Sequence, residues 1–344
     1  MAMAMAMTVT AMVAGCASAT PVSGPASANP VAASASLRAG AGGTLPAVFA
    51  ASLSFWSPKA DGGELGERIA LLSSRNGDLM RWLTPRQDRT FDAVLSVHDG
   101  WVYFLRGVAS YSVWRVPVAG GRAQLVLAGA SGYAVSPDGR AVAYVISADH
   151  GDVLELVTRN LVTGRQNTII MATKVSPGNN WPPSVSSLTW APDDVHLAVQ
   201  FELTAAINYV RVFDAFKART LSDGRTAPSP CTVTGKPVCE EFDPAYLASG
   251  ALTYVVQRIS GNGTAGSSLV AWRAGRLTTL LSFPAGPSPF YDMTAQGQAI
   301  WVDYPPGPKG PWTIWHWSGG APAEITAPPP LGAPPDYGIG GIAW

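Results

Sequence analysis

From Thr44 onward the apolar residues of this chain come in short runs that alternate with period two, broken by Gly, Pro, Asp and Asn. Period two puts successive side chains on opposite faces of a strand, and the breakers supply the turns. No long stripe of helical period interrupts the pattern. The runs also recur. A turn followed by an apolar strand occurs at 99–105, 138–145, 194–199, 250–255 and 297–302. A second strand type follows, as at 112–116, 209–213, 269–272 and 313–317, and a further short run completes the unit, as at 123–127 and 167–171. The units are spaced by about 40 to 55 residues, the range of propeller blades.

Two of the turns carry a motif. Ser136-Pro137-Asp138-Gly139-Arg140 leads into Ala141-Val142-Ala143-Tyr144, and Trp190-Ala191-Pro192-Asp193-Asp194 leads into His196-Leu197-Ala198-Val199. They resemble the Ser/Ala-Pro-Asp-Gly turn of TolB-like and WD40-like (PD40-type) β-propellers, in which Asp and Gly make the tight turn between the first two strands of a blade. Leu188-Thr189-Trp190 also matches the aromatic that commonly ends the first strand in that family, and Tyr133-Ala134-Val135 matches it loosely. His98-Asp99-Gly100 keeps the turn, whereas Ala295-Gln296-Gly297 keeps only the Gly. The resemblance implies an all-β, six-bladed propeller over 44–344, with five or seven blades as the alternatives. A ring left open exposes strand edges at its seam, so a terminus is expected to supply the missing strand. Residues 338–344 read as the first strand of a blade, and the unit made of 47–55, 68–74 and 78–83 lacks one. The C-terminal strand is therefore expected to close the ring.

The N-terminal residues follow other rules. Val13-Ala14-Gly15-Cys16 ends a short apolar run and reads as a bacterial lipobox, with Cys16 as the lipidated residue and 1–16 as a lipoprotein signal segment. The run is far shorter than the roughly 20 apolar residues that a transmembrane helix needs. Residues 17–43 are almost wholly Ala, Ser, Pro, Gly, Val, Thr and Asn, with Arg38 as the one charge and no aromatic. Such a composition cannot offset the entropy of ordering, so a flexible tether is expected.

Charge and chemistry narrow the function. The chain has 23 basic and 23 acidic residues, a formal charge of zero, with only 13% of residues charged. That balance argues against nucleic acid and against a polybasic membrane patch. Apart from Cys16 there are two cysteines, Cys231 and Cys239, an even number that an exported protein usually pairs. Such a disulfide would close a short loop and contribute about 2.5 kcal/mol in the chain-entropy model. The four histidines, His98, His150, His196 and His316, fall in separate units without metal-ligand spacing, so structural roles are expected. Glu240, Glu241 and Asp243 read as a solvated acidic patch. No cofactor is implied. Trp312, Trp315 and Trp317 share a strand, with Trp315 and Trp317 on one face. They are expected to fill wedges between blades; with Trp181 they are also the candidates for a carbohydrate or peptide platform.

The expectation is a lipid-anchored, extracytoplasmic propeller that binds or scaffolds a protein or cell-envelope polymer. The alternative is a propeller enzyme of lactonase, lyase or glycosidase type acting on envelope carbohydrate. Propellers host many roles, so that step is analogy.

Overall fold

Buried on both faces, a strand has no reason to alternate strictly, and the second strands of these units carry continuous apolar runs, as at 101–105 and 141–146. The computed structural model describes residues 46–57, 64–85, 91–107, 111–148, 153–173, 184–204, 207–229, 232–233, 236–237, 239–260, 263–283, 290–303, 313–325 and 338–344. Among them stand six four-stranded antiparallel sheets.

Blade 1 joins β1 (Val48–Ser57), β2 (Glu64–Ser73) and β3 (Leu79–Trp82) to the last strand of the chain, β26 (Gly338–Ala343). Blade 2 is β4 (Phe91–His98), β5 (Trp101–Gly107), β6 (Tyr111–Pro117) and β7 (Gln124–Ala128). Blade 3 is β8 (Ala130–Val135), β9 (Ala141–Ala148), β10 (Val153–Asn160) and β11 (Gln166–Thr173). Blade 4 is β12 (Ser184–Trp190), β13 (His196–Thr204), β14 (Ile207–Asp214) and the two-residue β15 (Arg225–Thr226). A small hairpin, β16 (Thr232–Val233) and β17 (Lys236–Pro237), precedes blade 5. Blade 5 is β18 (Cys239–Tyr246), β19 (Leu252–Ser260), β20 (Gly263–Arg273) and β21 (Arg276–Phe283). Blade 6 is β22 (Phe290–Met293), β23 (Ala299–Asp303), β24 (Thr313–Trp317) and β25 (Ala323–Ile325).

The first strands β26, β4, β8, β12, β18 and β22 touch one another in a closed cycle. They therefore surround the axis, and each blade runs outward from it. There is no single core; each of the six blade interfaces has its own apolar cluster. On β5, Val102 and Phe104 pack towards blade 1 against Ala50, Ile69 and Leu71, while Tyr103 packs towards blade 3 against Tyr133 and Val142. On β23, Ile300 and Val302 face blade 1, and Ala299 and Trp301 face blade 5. Burying one such large side chain stabilises the fold by roughly 1.5–3 kcal/mol.

The expected closure is present. β26 pairs antiparallel with β1, Ala343 opposite Ala50 and Ile342 opposite Ala51, with a bulge between Ser52 and Leu53. Ile342 enters the apolar cluster that β1 shares with blade 6. The Trp344 N–H donates to Asp292 Oδ2 on β22 at 2.8 Å, tying the last blade to the strand that closes the first. Among the described residues no helix is long and apolar enough to cross a membrane.

Candidate functional site

The turns between first and second strands gather at one end of the ring, and their chemistry is written in the motif. In blade 3 the Gly139 N–H donates to Ser136 O at 2.9 Å, and Asp138 Oδ1 accepts both the Ser136 hydroxyl at 2.7 Å and the Arg140 N–H at 2.9 Å. Blade 4 repeats the turn: the Asp194 N–H donates to Ala191 O at 3.1 Å, and Asp193 Oδ1 accepts the Val195 and His196 N–H groups at 2.9 Å each. The residue after the acid needs a positive φ, 70° at Gly139 and 57° at Asp194, which explains the Gly in one motif and tolerance of a short polar Asp in the other. Blade 2 uses Asp99 and Gly100, φ 47° and 75°, the pair of positive values that a two-residue hairpin turn demands.

Neighbouring turns are also tied together. The Asp138 N–H donates to Asp194 Oδ1 at 3.2 Å, the Trp190 indole N–H to Ala134 O at 3.2 Å, and the Ala248 N–H to Ala295 O at 2.7 Å. This end of the ring is thus a set of short turns held by bonds within and between blades.

Between the turns of blades 4 and 5 lies a pocket of about 400 Å³, lined by Ala191, Pro192, Asp193 and His196 on one side and Tyr246, Ala248, Ser249 and Gly250 on the other. His196 Nδ1 sits 2.6 Å from Asp193 Oδ2, and both side chains are half exposed. Burial works against ionisation of Asp193, but the His196 N–H, the His196 ring and the Val195 N–H outweigh it and hold the carboxyl below its ordinary range. A carboxylate only accepts, so Nδ1 carries the proton of this hydrogen bond. Across the strand pair, His196 faces Asp214, which binds Lys217 at 3.0 Å. Burial, and then the nearby charge of Asp193, push the Tyr246 hydroxyl well above the usual tyrosine range, so it stays a donor.

Of the four histidines, His196 lines this pocket. Cys16, Cys231, Trp181, Trp312 and His150 lie outside the described residues. Cys239 is buried at the start of β18. Trp315 and Trp317 share a face of β24 and enter the wedge between blades 5 and 6. There Trp315 stacks on Trp301 with centroids 6.3 Å apart, and the Trp317 indole donates to Gly320 O at 2.9 Å. His98, His196 and His316 sit on blades 2, 4 and 6 and are not gathered.

The acidic patch is a correction. Glu241 is 3% exposed and accepts the Val210 N–H at 2.9 Å. The cause lies at the end of β15: there the Ala227 N–H donates to Val210 O at 2.9 Å, but the Val210 N–H turns to the Glu241 carboxylate in place of a ladder partner. Asp243 sits at a left-handed bulge, φ 48°, with its N–H on Gln200 Oε1 at 2.9 Å. Tyr246 and Ser249 were not legible as site residues, because nothing in their local sequence distinguishes them. His196 had one usable signal, its place three residues after the motif Asp193.

No protein-family model matches the chain, and no curated protein matches it. Among solved structures, TolB from Acinetobacter baumannii aligns with a TM-score of 0.52 at 12% identity, over 86% of this chain and 66% of that one. This chain therefore spans slightly less than two thirds of that TolB. The putative TolB from Agrobacterium tumefaciens (TM-score 0.40, 11% identity, 69% and 90% covered) aligns too loosely to carry an argument. The same holds for the propeller domain of the Trilobed protease from Pyrococcus furiosus (TM-score 0.43, 12% identity, 68% and 71% covered). At such identities the likeness concerns the fold alone: this chain is a six-bladed β-propeller, similar in fold to that TolB.

Proposed function

We propose that this chain is an extracytoplasmic propeller, anchored through a lipid on Cys16, that binds a protein or cell-envelope partner. The observation that carries the binding reading is the end of the ring where short turns, tied within and across blades, enclose a preformed pocket. Rigid scaffolds that present turns in this way are where recognition concentrates. The chain enters blade 1 at the same end, where the Ser74 N–H donates to Ala47 O at 3.1 Å. A tether leaving there would hold the ring off the membrane while leaving it free to move. The resemblance to an envelope-associated propeller family supports the same address, and a Cys231–Cys239 disulfide fits an oxidising compartment.

The second reading, a propeller enzyme acting on envelope carbohydrate, draws on the oriented imidazole of His196, the geometry of a general base. Both readings are tested by cross-linked capture from native membranes, comparing full-length protein with Cys16→Ala. The binding reading expects one defined envelope partner, enriched only with the anchored form. Identical fractionation of the two forms and no enriched partner would overturn it.

A further inference from the structure

We propose that the pocket between blades 4 and 5 binds a neutral polyhydroxylated ligand, a sugar ring of an envelope glycan. This rests on the binding reading and gives it a site and a ligand class. The polar groups of the pocket carry the argument. Asp193 already accepts three hydrogen bonds, one from the His196 ring and two from backbone N–H groups, so it orients the imidazole and is a poor receptor for a cation. With Nδ1 held on Asp193, the imidazole presents its Nε2 edge to the pocket. The Tyr246 hydroxyl has no hydrogen-bond partner among the described residues. Ser249 Oγ accepts the Ala251 N–H at 3.4 Å and keeps its own proton to donate. An imidazole edge beside two hydroxyls suits groups that both give and take hydrogen bonds, which is what sugar hydroxyls do. Pro192 and Ala248 supply the apolar wall.

Competing ligands fit less well. Among the described residues no Lys or Arg lines the pocket, so a phosphate, sulfate or carboxylate would enter without a Lys or Arg countercharge. An extended peptide would ask for a free strand edge, whereas the lining turns are closed on themselves, Asp194 N–H on Ala191 O and Gly250 N–H on Leu247 O. A volume of about 400 Å³ is that of a small-ligand site and not of a protein-docking patch.

The test is a chemical-shift titration of the isotope-labelled full chain with neutral hexose and N-acetylhexosamine disaccharides, the same sugars phosphorylated, and an amidated tripeptide. Neutral sugars are expected to shift resonances of 193–196 and 246–250. Tyr246→Phe, which removes only the hydroxyl, and His196→Ala, which empties a half-exposed position, are each expected to weaken binding about tenfold with the remaining spectrum unchanged. The assignment is overturned if the neutral sugars shift nothing at millimolar concentration, if the phosphorylated sugar or the peptide is preferred, or if both variants bind like the wild type. Partner capture that survives both variants, without sugar binding, would remove the pocket assignment and leave the binding module standing.

Discussion

Glu241 and Asp292 are acids placed where an ionised carboxylate is poorly solvated. Burial pushes the Glu241 carboxyl up to about 7, against the N–H of Val210 and the Ser229 hydroxyl, which favour the charged form. Burial likewise pushes Asp292 up to about 6, against the N–H groups of Trp344 and Met293. Between the unfolded value, 4.5 for Glu241, and the folded one, the native state holds a proton that the unfolded chain has released. The stabilisation is complete below the unfolded value and is lost as pH rises through the folded one, on the order of 3 kcal/mol for a gap of this size. Glu241→Gln keeps an acceptor for Val210 and removes the charge. It should match the wild type near pH 4 and exceed it at pH 8 by roughly 1–3 kcal/mol in urea unfolding; equal midpoints at pH 8 would refute the buried, proton-holding role. Gly224 is a steric case. A Cβ there would collide with the ring of Phe213, which is fully buried and has nowhere to go. Gly224→Ala should cost about 1–3 kcal/mol, read from the same denaturation curves.

At the scale of the element, the motif turns act as small caps on strand pairs. Asp138 is held below its ordinary range chiefly by the Ser136 hydroxyl and then the Arg140 N–H; in Asp193 the bonds to His196 and Val195 overcome burial to the same end. Depressed carboxyls contribute stability above their unfolded value of 3.8, and it is lost as pH falls through the folded values. With Glu241 and Asp292 acting in the opposite sense, stability should peak near pH 4 and fall towards pH 7; a thermal-unfolding pH series with its maximum at pH 8 would contradict this. These turns and their strands were legible because period two, Pro-Asp-Gly and Asp-Gly are local signals. Glu241 was misread because its environment depends on where β15 stops, a fact of the neighbouring blade. The pocket was hidden for a related reason. Its walls come from two turns far apart in sequence, and only the ring brings Tyr246 and Ser249 beside His196.

For the whole molecule, stability is distributed over six interfaces, each connecting one blade only to its neighbours. Linear arrays of this kind fray from their ends unless the ends meet. β26 makes them meet, through its pairing with β1, Ile342 in the cluster shared with blade 6, and Trp344 on Asp292. Ile342→Asp places an unpaired charge in that cluster and should open the seam first, loosening blade 1 before blades 3 and 4. The turn-lined end of the ring keeps its shape only while the seam holds, so closure underlies the binding reading as well.

Native-state hydrogen exchange of the wild-type chain, followed by mass spectrometry, tests closure most directly. A closed ring predicts that the amides of β26 and β1 exchange together, and as slowly as those of β13 and β19. Exchange of β26 at the rate of an unstructured peptide, with β1 still protected, would contradict it.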